Sequence, residues 1–420
     1  MTIQFILPLL VMKKKQSVLH IALPAMNERD YIEKTLDCIK KQNLRDFHTW
    51  VCVNQPESYH TNPEKKHICE NNARTLELLS NYDLVNLHLL DHTSQNQGWQ
   101  EGKLGVGMAR KTLMDAIAAD ASPDDIIVSM DADTIFETEY LASVKKQFDE
   151  NPGALALANP YYHPLVSDEP TSRAMLRYEI YMRYYALNMR FTGTPYCFSP
   201  LGSAMAARVS AYRKINGLTP KKSGEDFYFL QKMVKAGQVL MHNDQVVYPG
   251  TRLSDRVFFG TGPAMIKGMA GQWSAYPLFN PELFDMVKQT LDLFPTLFHH
   301  PCPTPMDGFF ESQFHEPDIF KPLRKNHKDP HRFIKACHEK IDGLRILQFL
   351  KAEHALNPRN DEDNLAAFLV KYFPDAEIHS ELKDVSFLYS DVDKLNKIRN
   401  FLFETELKIQ KDEPSHDNKF

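Results

Sequence analysis

The stretch DIIVSMDADT, residues 125–134, constrains this chain more than any other. Ile126, Ile127 and Val128 form the short apolar run of a strand buried in a parallel sheet. Ser129 and Met130 carry it to its carboxyl end, where Asp131 and Asp133 stand two residues apart. In extended backbone, residues i and i+2 point the same way. The pattern therefore puts two carboxylates on one side, at the edge where open α/β sheets bind ligands. Paired hard oxygens suit Mg²⁺ or Mn²⁺, ions that complete their shells with water and substrate phosphates. The same residues can also be read as polar residues closing a strand, one of them capping the next helix. The rest of the chain decides between the two.

Upstream, strand patterns at 17–23, 50–53 and 84–90 alternate with helical patterns at 31–42, 63–80 and 108–119. Downstream come a helix at 139–150 and a strand at 154–158. Such alternation, with several strands ending in polar groups, implies a doubly wound, mainly parallel α/β sheet with helices on both faces. From 169 to 191, Met175, Tyr178, Met182, Tyr185 and Met189 recur at helical spacing and read as a packed helix face. The aromatic and basic content of that helix would also suit an acceptor groove or a membrane surface. A small apolar stretch at 202–207 leads to a short helix at 209–215. Ser223 is placed to cap a helix that opens with Glu225 and Asp226, where acidic residues complement the helix dipole. Residues 239–248 read as one strand with His242 packed within it, followed by a loop carrying Arg252 and Arg256. Beyond Trp273, prolines punctuate an irregular stretch and helical patterns return. A boundary near 280 divides a domain at 17–280 from a mainly helical C-terminal region at 281–420, whose last ten residues are a polar tail.

A net charge of −5 argues against nucleic acid as the main partner. Six scattered cysteines without a CxxC pair fit reduced thiols and a cytoplasmic setting, not disulfides or zinc. The apolar run at 3–12 is too short for a bilayer span of ~20 residues. Its lysines, 13–15, follow it, where a secretory signal carries its charges in front. It reads as a membrane-surface anchor or, preferably, as sequence upstream of a start at Met12. Residues 1–15 are left out of the fold, and a peripheral membrane contact stays open.

Four segments, in order, resemble the family 2 glycosyltransferases, which have the GT-A nucleotide-sugar fold. They are LPAMNE (23–28), GVGMARKTLMDA (105–116), MDADT (130–134) and SGEDFYFLQKMVKAG (223–237), and the resemblance covers roughly 17–275. It implies that the turn carrying Pro24, Ala25, Asn27 and Glu28 holds the nucleotide base and ribose. Arg110 would lie beside the nucleotide, with Asp131 close by. Asp133 would hold Mn²⁺ or Mg²⁺, with Asp131 as its companion. Asp226, or its neighbour Glu225, would be the general base of an inverting member. The chain departs from the family where strand two ends in Asn54-Gln55 in place of Asp. It departs again where Tyr248-Pro249-Gly250 replace a histidine, and where a longer C-terminal motif shrinks to Gln272-Trp273. The last change, with no transmembrane helix, argues against a processive polymer synthase.

The expected reaction is metal-dependent transfer of a hexosyl-type sugar from a UDP- or GDP-sugar to a hydroxyl of unknown identity. Arg252 and Arg256 could clamp the diphosphate, since guanidinium forks match phosphate oxygens. A surface salt bridge with Asp255 explains them equally well. Lys103, in the glycine-rich loop, is a further phosphate candidate. Two rivals stand beside this reading. DADT also matches the nucleophile motif of haloacid-dehalogenase-type phosphatases, although in that fold the strand comes first in its domain. A sugar-nucleotide binding protein without turnover is the other. Inversion and retention both stay open.

Overall fold

The computed structural model describes residues 17–100, 105–222, 224–252 and 261–412. Its strands are β1 (Leu19–Ala25), β2 (Phe47–Asn54), β3 (Leu87–His92), β4 (Ile126–Ser129), β5 (Ile135–Phe136), β6 (Ala156–Ala158), β7 (Met205–Arg208), β8 (Val239–Leu240) and β9 (Val247–Tyr248). Seven of them form one sheet in the order β3-β2-β1-β4-β7-β6-β8, and β5 pairs separately with β9. β3, β2, β1 and β4 run parallel, and β7 is antiparallel to both β4 and β6. The sheet is the expected mainly parallel α/β type.

Several features differ from the expected strands: β4 ends at Ser129, β5 is an additional short strand, and two further differences concern β7 and residues 239–248. β7 carries the small apolar stretch that gave no strand pattern, and it makes the sheet mixed. The single strand expected at 239–248 is two short ones in different sheets. The chain bends between them because Asn243 donates to Asn159 Oδ1 at 2.7 Å and Asn159 in turn donates to the Gln245 carbonyl. These side-chain bonds offer the backbone an alternative to a continuous ladder. His242 therefore sits in the bend, 3.4 Å from Asp244.

The pleat sends alternate residues of β1 to opposite faces. Leu19, Ile21 and Leu23 join a core with helices α1 (Ile32–Lys40) and α4 (Tyr140–Glu150). α2 (Lys66–Asn81) adds Leu79 to the same face. Ala22 faces the other core, built from α3 (Val106–Asp120), α5 (Glu169–Phe191), α6 (Val209–Lys214) and α7 (Glu225–Ala236). The C-terminal helices add Phe333, Phe349, Phe368 and Leu402 to this second core. The two regions thus bury one continuous apolar body.

α5 is buried almost all round, so its polar side chains need internal partners. Glu179 receives the Arg183 guanidinium at 2.5 Å and His163 Nδ1 at 3.0 Å. Arg399, from the last helix (Val392–Asp412), lies 3.4 Å from the same carboxylate. Arg183 also donates to Glu406 at 2.6 Å and to the Tyr161 carbonyl. Burial alone would raise the Glu179 pKa, but Arg183, His163 and Arg399 outweigh it and hold the carboxyl well below its usual range. Two carboxylates and two guanidiniums are thereby balanced in the interior.

Breaking such a set by removing one partner typically costs about 3–5 kcal/mol, because a buried charge is left unpaired. Arg183→Met should therefore lower the unfolding free energy by about that amount in urea denaturation. A loss under about 1 kcal/mol would place the network with weak surface pairs.

Candidate functional site

The strand order reverses between β1 and β4: the chain builds outward through β2 and β3, then returns to the other side of β1. Ligands of open α/β sheets bind at such a point. A cleft of about 460 Å³ opens there.

Its first wall is the turn after β1. Pro24 and Ala25 end the strand, and both line the cleft together with Met26, Glu28 and Asn54. Asn27 adopts φ 60°, a left-handed conformation that asparagine tolerates. Its amide donates to Asn72 Oδ1 at 2.8 Å, and the Arg29 amide donates to Asn71 Oδ1 at 3.0 Å. Asn72 also donates to Gln55, and Asn54 donates to the Ala25 carbonyl. The unusual Asn54-Gln55 end of β2 thus belongs to an amide layer that fixes the turn. Asn27 itself is outside the cleft lining. Asn71 and Asn72, which hold it, were not singled out from the sequence; their signal is an asparagine pair on the inward face of a helix.

The second wall follows β4. The strand ends at Ser129, so Asp131 and Asp133 stand in a turn closed by the Thr134 amide on the Asp131 carbonyl. The period-two argument does not apply there, yet both carboxylates line the cleft. They have different partners. Asp131 accepts from Arg110 at 2.9 Å, and Asp133 lies 2.8 Å from Arg252.

Arg110 is fully buried on α3. Besides Asp131 it donates to Ser129, to the Gly202 carbonyl at 2.9 Å and to Glu225 at 3.1 Å. α3 lies close enough to α7 for this because residue 107 is glycine: a Cβ there would collide with the Lys221 carbonyl. Glu225 is buried against Arg110. Asp226, one residue on and about 100° round the helix, lines the cleft half-buried and accepts from the Phe227 amide at 2.7 Å. Burial, with Glu225 beside it, pushes the Asp226 carboxyl up to about 7 even though Arg110 opposes the shift.

Arg252 closes the cleft at Asp133. Its Nη2 reaches both oxygens of Glu28, at 2.5 and 2.7 Å, while Nε faces Asp133 and the guanidinium lies 4.2 Å over the Tyr31 ring. Gly250 lets the turn pass close to Asp133, since a Cβ there would sit 2.8 Å from its Oδ2. Lys103, Ser223, Asp255 and Arg256 lie outside the described residues, as do residues 1–16 and the tail from 413.

Among the described residues no three His, Cys, Asp or Glu side chains cluster as a metal site. A divalent ion of the Mg²⁺ class is usually held by one or two carboxylates plus substrate phosphates. Asp131, 39% exposed, and Asp133 fit an ion arriving with a diphosphate. The cleft is also lined by His163, Tyr178, Phe227, Tyr276 and Leu347. Tyr178 stood out in the sequence as part of a packing stripe; His163, Tyr276 and Leu347 did not. No helix of the described residues is long and apolar enough to cross a membrane.

No protein-family model matches the sequence, and no curated protein is significantly similar to it. Among solved structures the chain is similar to Staphylococcus aureus TarS 1-349 in complex with UDP-GlcNAc, at 13% identity and a TM-score of 0.40, covering 93% of this chain and 92% of that one. It is also similar to the mannosyltransferase PcManGT from Pyrobaculum calidifontis in complex with GDP-Man and Mn²⁺, at 14% identity and TM-score 0.36, covering 95% and 87%. A third is the Mycobacterium tuberculosis glucosyl-3-phosphoglycerate synthase with UDP, at 16% identity and TM-score 0.33, covering 62% and 80%.

Arg252 competes with any cation for Asp133. Arg252→Gln should therefore raise the Mn²⁺ affinity of the nucleotide-free protein, by roughly tenfold if one hydrogen-bonded charge pair is at stake. Mn²⁺ titration followed by electron paramagnetic resonance measures this directly. An unchanged affinity would mean that the ion does not meet Asp133.

Proposed function

We propose that this chain is a glycosyltransferase of the family 2 type, moving a hexosyl-type sugar from a UDP- or GDP-sugar to an acceptor hydroxyl with Mn²⁺ or Mg²⁺ in a cytoplasmic setting. One observation carries the reading. A single cleft at the strand-order reversal holds a carboxylate pair suited to a diphosphate-bound ion and, separately, a carboxyl with its pKa near 7. Transfer needs both: a counter-charge for the departing nucleoside diphosphate and a group that takes the acceptor's proton.

The bond changes follow from that placement. The anomeric carbon–oxygen bond to the diphosphate breaks as the acceptor oxygen bonds to the same carbon from the other side. The acceptor's proton passes to Asp226, and inversion results. A divalent ion at Asp133 and Asp131, when bound, supplies Lewis-acid neutralisation of the charge left on the diphosphate. Arg252, released from Asp133, offers its guanidinium fork to the same phosphate oxygens. Glu225 holds Arg110, and Arg110 holds Asp131, so this pair orients the site. Pro24, Ala25, Glu28 and Asn54 bound the place for base and ribose.

The phosphatase reading needs Asp131 as a nucleophile. Asp131 is instead ion-paired with a buried arginine, and three strands precede β4. The sugar-nucleotide binder lacking turnover gives no use to a carboxyl poised near 7.

A thermal-shift screen of UDP, GDP and their sugars with Mn²⁺ tests the donor class, because a ligand at a hundredfold excess over Kd stabilises the fold by about 2.7 kcal/mol. No shift with any of them would end this reading. Asp133→Ala should abolish transfer and weaken nucleotide binding in Mn²⁺ while the protein stays folded. Full transfer in excess EDTA would remove the metal from the mechanism.

Asp226→Asn should bind donor nearly as wild type yet transfer sugar ~10²–10⁴-fold more slowly. In wild type, kcat/KM should rise with pH and level off above about 7 as Asp226 loses its proton. The same shift has a stability sign. A carboxyl whose pKa is raised by folding contributes most below its unfolded pKa, and the contribution is lost as pH rises through the folded value. The melting temperature of Asp226→Asn relative to wild type should therefore increase from pH 5 to pH 8. Equal rates in the two proteins would leave Asp226 as a helix start only.

A further inference from the structure

His163 stands among residues that leave one of its ring nitrogens without use. Glu179 is acceptor-only as a carboxylate, so Nδ1 must be the donor in their 3.0 Å contact. The His163 amide bonds the same oxygen at 3.1 Å, which locks the ring's attachment as well as its tautomer. Glu179 cannot turn away, because Arg183 and Arg399 hold it. The other nitrogen, Nε2, is buried and has no hydrogen-bond partner among the described residues. Buried polar groups are nearly always paired, and one that is not asks for an explanation such as a bound ligand.

The residue is also in the right place. His163 lines the cleft with Tyr178, which precedes Glu179 on α5. The segment that carries it runs beside the 247–251 turn: Tyr162 donates its amide to the Val247 carbonyl, and Thr251 donates its hydroxyl to the Pro164 carbonyl. That turn includes Gly250, which abuts Asp133. Tyr178 and Asp226 line the same cleft. His163 therefore lines the same cleft as Asp133 and Asp226, where the sugar being transferred would lie.

The chemistry narrows the ligand. Nε2 of a neutral ring accepts a hydrogen bond, and Nε2 of a charged ring donates one. A hydroxyl both donates and accepts, so it satisfies either form. A phosphate or carboxylate oxygen satisfies only the charged one. We propose that His163 positions the bound carbohydrate by a hydrogen bond between Nε2 and one of its hydroxyls, with the Glu179 network holding the ring in place. The inference rests on the sugar-transfer reading above, and the hydroxyl belongs to the donor sugar or to a carbohydrate acceptor.

Two substitutions separate this role from a structural one. The amide of His163→Asn can still donate to Glu179 but has no atom at the Nε2 position. His163→Gln reaches that position. With the full chain and Mn²⁺, calorimetry would compare UDP and GDP with UDP-glucose, UDP-N-acetylglucosamine and GDP-mannose. Transfer to a panel of mono- and disaccharides would give the acceptor KM.

His163→Asn is expected to keep the melting temperature and the nucleoside-diphosphate affinity of wild type. It should lose roughly five- to tenfold, the usual scale of one hydrogen bond, either in sugar-nucleotide affinity or in acceptor KM. The first loss assigns the hydroxyl to the donor, the second to the acceptor, and recovery in His163→Gln supports both. Unchanged values in both arms overturn the proposal. So does an equal loss for diphosphates and sugar nucleotides, which marks a structural role. If wild type binds no nucleoside diphosphate at all, the sugar-transfer reading fails first and takes this inference with it.

Discussion

The site depends on one buried guanidinium. Arg110 sits where β4, α3 and α7 meet, and its hydrogen bonds tie Asp131 to Glu225 directly and also reach Ser129 and the Gly202 carbonyl. A buried arginine is tolerable only with such partners. It fixes the spacing between the carboxylates at the end of β4 and the carboxyl at the start of α7. It also creates the conditions under which Asp226 departs from normal behaviour. Glu225 pairs with Arg110, and Asp226 is shifted by its own burial and by Glu225 beside it. One ion pair thus orients part of the site and, through the adjacent residue, tunes another.

The sequence pattern carries the sheet class because strand and helix periodicities survive tertiary packing. The end of β4 was legible for the same reason, since an apolar run that stops at two aspartates needs little context. The geometry of that end was not legible. The strand stops two residues before Asp131, and a turn, not the pleat, delivers both carboxylates to the cleft. β7 escaped because Met205, Ala206 and Ala207 show no alternation when both faces are covered. The strand at 239–248 failed because side-chain bonds 84 and 86 residues apart in sequence bend it. Local pattern contains no information about such partners.

The same limit applies to site residues. Pro24, Ala25, Glu28, Arg110, Asp131, Asp133, Glu225, Asp226 and Arg252 all line the cleft, brought together from separate segments. Their partners were not visible. Arg252 was weighed between phosphate and Asp255, and the structure adds Glu28 and Asp133, more than a hundred residues away. His163 had no motif around it. Its position has meaning only through Glu179, Arg183 and Arg399, which arrive from two helices. Within that network only Glu179 and Arg183 are local, at i and i+4 on α5, while Arg399 and Glu406 come from a distant helix.

Two charged assemblies of this protein, the Glu179 network and the Arg252 pairs, differ in their access to solvent. The side chains of the Glu179 quartet are at most 8% exposed, whereas Arg252, 21% exposed, faces an open cleft. Mobile salt screens charges over about 8 Å at 0.15 M, but only where ions and water can reach. Ionic strength is therefore a selective lever here. Raising it loosens the grip of Arg252 on Asp133 and Glu28 and leaves the interior charges untouched, so the cleft can respond to its ionic surroundings while the body around it does not.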